Sequence, residues 1–86
     1  MSNIKITQDH IDIIVNESKY LIQKVGEKTT VVLATLPNGF VILESSSCVD
    51  PANFDEEVGV EICKNRIENK IWELEGYVLQ TNEAGK

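Results

Sequence analysis

The spacing of apolar residues changes twice along the chain. Between Thr7 and Ser18, Ile11, Ile14 and Val15 recur at i, i+3 and i+4, which is one face of a short amphipathic helix. Thr7 reads as its N-cap, with Ile6 and Ile11 forming a hydrophobic staple across the cap. Asn16-Glu17-Ser18 ends the pattern. Three strand-like runs follow at 20–25, 29–36 and 40–43, the second rich in β-branched residues. Gly26-Glu27-Lys28 separates the first two, and Pro37-Asn38-Gly39 the last two. The Asn-Gly pair predicts a tight hairpin, because both residues tolerate positive φ. Together the runs predict a three-stranded antiparallel meander.

Ser45, Ser46 and Ser47 loosen the chain, and after Pro51 the period becomes helical. Asp50-Pro51 signals a turn or a helix start, since proline fits the first helical position. Asn53 with Glu56 three residues on reads as a capping box. The spacing predicts a long helix over 54–74, stopped by Gly76. The predicted architecture is α+β, a single domain over residues 1–86. It has a short N-terminal helix, a three-stranded antiparallel meander, a long C-terminal helix packed on the sheet, and a polar, frayed tail from about 81 to 86.

On a helical wheel the long helix carries two apolar stripes. Val60, Cys63, Ile67, Ile71 and Leu74 form one; Phe54, Val58, Ile62 and Trp72 form the other. A surface helix of a small monomer needs only one. The second stripe is therefore covered either by the N-terminal helix or by another subunit. The subunit reading is preferred, because the first helix is too short to reach both Phe54 and Trp72. Glu57, Glu61, Glu68 and Glu75 share a solvated ridge. Gly59, Arg66 and Lys70 share a strip between the stripes, where the missing side chain of Gly59 leaves room for a groove beside two cations. Such a pair is either two solvated charges or an anion site built from a fork-shaped donor and a point charge.

Eighty-six residues bound the answer to one small core, for which association with further copies is a common remedy. A net charge of −6 argues against partners such as a DNA or RNA duplex, whose backbone needs clustered Lys and Arg. No run approaches the ~20 apolar residues of a membrane span, and the N-terminus lacks the apolar run of a signal peptide, so no membrane partner is expected. Cys48 and Cys63 stand in apolar surroundings without a CxxC, which predicts free thiols in a reducing compartment. His10 is the one imidazole, placed in the exposed first turn, and no GxSxG, P-loop or GxGxxG is present. A non-enzymatic protein with no cofactor and no metal is expected.

Three ordered segments carry a resemblance: Leu36-Pro37-Asn38-Gly39-Phe40, then Cys48-Val49-Asp50-Pro51-Ala52-Asn53-Phe54-Asp55, then Lys70-Ile71-Trp72-Glu73-Leu74-Glu75-Gly76-Tyr77. Over about residues 7–80 the chain resembles the phage Gp forty-nine-like protein family. That family in turn is similar to the Thoeris anti-defence one proteins, which sequester signalling nucleotides made by bacterial immune enzymes. The resemblance implies a sponge in the host cell cytoplasm. Its partner would be a cyclic nucleotide second messenger, a cyclic ADP-ribose isomer or a cyclic dinucleotide, held without cleavage at sites shared between subunits. A homo-oligomer follows, a dimer or a higher assembly with a hexamer among the candidates, and Phe54, Val58, Ile62 and Trp72 are the interface residues the helix offers. Phe40 is placed to stack on a base, Asn53 to bond a ribose or base edge, and Arg66 and Lys70 to hold phosphates. The chain is shorter at its N-terminus than those sponges and more acidic than a pyrophosphate binder requires. The alternative is a host-takeover protein that binds and inhibits a bacterial protein through one apolar helix face.

Overall fold

The computed structural model describes residues 5–84. The order is α1 (Gln8–Glu17), β1 (Lys19–Val25), β2 (Thr29–Thr35), β3 (Val41–Ser47), a 3₁₀ turn (Pro51–Asn53) and α2 (Glu56–Ala84). This is the expected α+β architecture, with the strands in the order β1-β2-β3, each antiparallel to its neighbour. Met1 to Ile4, and Gly85 and Lys86 of the expected tail, lie outside the described residues.

Thr7 caps α1 as expected, its hydroxyl accepting the His10 N–H at 3.2 Å. The hairpin between β2 and β3 differs in detail from the expected tight turn. Within this loop only Gly39 has positive φ, +93°, and Asn38 does not. Gly39 N–H donates to the Leu36 carbonyl and Leu36 N–H to the Phe40 carbonyl, each at 2.8 Å, which closes a three-residue loop. Asn38 contributes through its side chain instead, accepting the Phe40 N–H at 2.9 Å.

Three boundaries correct the sequence expectation. Ser45, Ser46 and Ser47 do not loosen the chain. They continue β3 opposite Val31, Thr30 and Thr29, and the Ser47 and Thr29 hydroxyls lie 2.8 Å apart. Cross-strand pairing supplies what serine lacks in strand propensity. Asn53 is not the cap of the long helix. Asp50 and Pro51 close a tight 3₁₀ turn first, so that Asp55 becomes the residue accepting the Glu57 and Val58 N–H groups at 3.0 and 3.4 Å.

Nor does Gly76 stop α2, which runs on to Ala84 and includes Thr81 to Glu83 of the expected frayed tail. An interior glycine costs a helix about 1 kcal/mol and does not end it unless a left-handed residue or a proline follows. α1 runs beside this stretch: His10 Nε2 lies 2.6 Å from Glu75 Oε1 just before Gly76, and Leu79 beyond it lines a cleft with Ile6 and His10. A Cβ added at Gly76 meets nothing within 4 Å. Gly76→Ala is therefore expected to stabilise the protein by about 0.5–1 kcal/mol, read as a raised urea midpoint. A lowered midpoint would show that the helix is not continuous there.

One core lies between the sheet and α2. Thr30, Val32 and Ala34 alternate inward on β2 and meet Ile42, Cys63, Ile67 and Ile71, with Ile11 of α1 closing the cluster. The first apolar stripe of α2 is thus the sheet-facing one, with Val60 and Leu74 at its half-buried margins. Along the second stripe, Phe54 is half-buried with the Lys24 ammonium 4.8 Å above its ring, and Trp72 packs partly against the core. Ile62 is half-buried and Val58 is exposed. Both cysteines are free, and burial pushes the Cys63 thiol up, so it stays protonated through neutral pH.

Candidate ligand-binding site

The expected site residues fall into two places, both on the helix–sheet layer. Gly39 turns the chain so that Phe40 leaves the hairpin with half its surface exposed. From there Phe40, Val41, Ile42 and Leu43 form one wall of a cleft of about 290 Å³, and Lys70, Glu73 and Leu74 of α2 form the other. Phe40 and Lys70, an aromatic platform and a cation, are brought together by the fold within a single chain.

Arg66, one turn before Lys70 on the same strip, also reaches β3. Its Nη1 donates to the Ser45 carbonyl at 2.7 Å. β3 is an edge strand, and this bond occupies one of its carbonyls outside the β2–β3 ladder. Lys70 Nζ lies 3.7 Å from Glu44 Oε2, and the Lys70 side chain is about half exposed while that of Glu44 is mostly covered. Both cations are therefore engaged with β3 in this state, and Glu44 and Glu73 offset the charge that Lys70 brings to the cleft.

The predicted groove beside Gly59 does not exist in that form. Gly59 is buried against β2, where an added Cβ would stand 2.4 Å from Thr30 Oγ1 and 2.8 Å from Thr30 Cβ. The space left by the missing side chain is filled by Thr30, whose hydroxyl is buried with no hydrogen-bond partner. Asn53 stands apart from Phe40 and Lys70. It lines a second cavity, of about 340 Å³, with Thr30, Cys48, Phe54, Asp55 and Gly59 among its neighbours. Sequence reasoning missed Glu44 and Thr30. The first carried a signal, a carboxylate at an inward-facing strand position; the second had none, because threonine is at home in any strand.

Among the described residues no group of three or more His, Cys, Asp and Glu is placed to hold a metal ion, and no helix is long and apolar enough to cross a membrane. The family model of the phage protein (N4 Gp49/phage Sf6 gene 66) family matches residues 6–82. The chain belongs to that family. No curated protein and no solved structure is similar enough to count as a match. The match to the phage family spans the hairpin, the 3₁₀ turn and most of α2, and so includes every residue of the Phe40–Lys70 cleft.

Proposed function

We propose that this phage-family protein sequesters a cyclic nucleotide immune signal, a cyclic ADP-ribose isomer or a cyclic dinucleotide, and does so by binding alone. The observation that carries the reading is the Phe40–Lys70 cleft. A nucleotide needs a flat apolar surface for its base and donors for its phosphates, and the cleft offers both in one chain. Ile42 and Leu74 make its walls apolar, and Arg66 stands one turn away as a second donor that leaves Ser45 when an anion competes for it. The resemblance to the Thoeris anti-defence one proteins points the same way.

Glu44 gives the reading a signed test. It neutralises Lys70 in the free protein, so Glu44→Gln is expected to tighten anion binding severalfold. Phe40→Ala is expected to lose base stacking of about 1–3 kcal/mol, roughly fivefold to 150-fold in affinity. Lys70→Ala is expected to lose a charge-assisted hydrogen bond of about 1.5–3 kcal/mol. Calorimetry with a cyclic ADP-ribose isomer and with a cyclic dinucleotide reads all three. Absence of binding by the wild type at about 100 µM, which corresponds to only about 5.5 kcal/mol, ends the nucleotide reading and leaves the inhibitor of a host protein. Binding that all three substitutions leave unchanged moves the site elsewhere.

A further inference from the structure

The register places every odd-numbered strand position on the sheet face turned away from α2. On that face Leu21 stands opposite Leu33, and Leu33 opposite Leu43, so a row of leucines crosses all three strands. Val25, Val31 and Val41 lie around it, and threonines, serines, Gln23 and Lys19 supply the rest. The even-numbered side chains face the core and α2. No described element covers the odd face, and Leu21, Val25, Val41 and Leu43 are each more than half exposed. A solvated face of an antiparallel sheet is ordinarily polar. An uncovered apolar patch of this kind marks a contact surface.

We propose that a second copy of this chain docks on this face, sheet against sheet. Charge decides the occupant. The chain carries 14 acidic residues and a net charge of −6, so two copies repel at most orientations. The odd face has four positions on each of three strands, twelve in all, and not one is acidic. Close to its axis a two-fold contact sets a residue beside its own copy, so a face free of like charges near its centre is the one suited to pair with itself. Here the centre is leucine, its flanks are Thr, Ser and Val, and the one charge, Lys19, sits at a corner where water reaches it. The opposite side of the molecule, with Glu57 and Glu61 on the exposed surface of α2, is the reverse case.

The dimensions fix the strength. Seven residues at about 3.4 Å by three strands at about 4.8 Å give a face of roughly 24 by 14 Å. Pairing two such faces buries roughly 700 Å² plus the rims, below the ~1,200 Å² of a standard interface. The dimer is therefore a reversible one with a dissociation constant in the micromolar range or weaker.

Sedimentation equilibrium from about 1 µM to about 500 µM tests this. The wild-type mass is expected to rise with concentration from 9.6 kDa towards twice that value. Leu43→Lys, and separately Leu21→Lys, are expected to weaken association at least tenfold while the melting temperature holds, because both side chains are exposed on edge strands. Val58→Lys, on the far stripe of α2, is expected to leave the mass curve unchanged. A wild type that stays at 9.6 kDa throughout, as it would if a different protein were the occupant, overturns the proposal. So does a folded lysine variant at position 43 or 21 that associates as the wild type does, or a Val58→Lys protein that no longer associates.

Discussion

Gly59→Ala is expected to destabilise the protein by about 2 kcal/mol, although the same exchange strengthens most helices by about 1 kcal/mol. The added Cβ would stand 2.4 Å from Thr30 Oγ1 and 2.8 Å from Thr30 Cβ. Rotating the hydroxyl away relieves the first clash but not the second, because Thr30 Cβ is fixed to the central strand of the sheet. The helix must lift, and Cys63, one turn on, lifts with it out of close packing. Urea denaturation reads the change directly. Thr30→Gly in the same chain removes both clashing atoms, so the double variant is expected to be less destabilised than the sum of the two singles. A stabilising Gly59→Ala would mean that helix and sheet do not approach this closely. Gly76 is the internal control, since it occupies the same helix with open space around it.

Those two glycines show what the sequence conveys and what it hides. From the sequence Gly59 read as room for a groove and Gly76 as a helix stop, yet the first is a close approach to the sheet and the second a tolerated cost inside a longer helix. The difference lies in what stands opposite, Thr30 in one case and nothing in the other, and opposition across a layer is not a local property. The inward stripe of Cys63, Ile67 and Ile71 was readable because periodicity reports it directly. Arg66 and Lys70 were readable as neighbours on one strip, but not as groups already engaged by Ser45 and Glu44, since strand register is needed to place those partners. The odd face of the sheet did leave a mark. Val31-Val32-Leu33-Ala34 is apolar at both parities, the pattern of a strand covered on two sides. Alternation in β2 supplies Val32 and Ala34 to α2; Val31 and Leu33 have no such reason to be apolar in a lone copy.

Ile67→Ala is expected to cost about 2–5 kcal/mol, a large loss for the shortening of one side chain. Ile67 sits at the middle of the inward stripe, 1 % exposed, with Cys63 one turn before it and Ile71 one turn after. Its neighbours across the layer belong to a sheet held rigid by two full seven-residue ladders, so the hole left by three missing carbons cannot close by strand movement. Among the described residues eight buried apolar side chains make up this core, so one of them carries a large share of the total. Domains of this size hold roughly 5–10 kcal/mol in all, and each kilocalorie moves the melting temperature by about 4–8 °C. Thermal unfolding should therefore shift down by roughly 8–40 °C. Ile71→Ala serves as a second reading of the same layer, nearer the end where α1 joins the core. If Ile67→Ala lowers the melting temperature by less than about 5 °C, the sheet and α2 do not share one cooperative core. The Phe40–Lys70 cleft, whose walls come from those two elements, would then lack the rigid frame that a binding site on their junction requires.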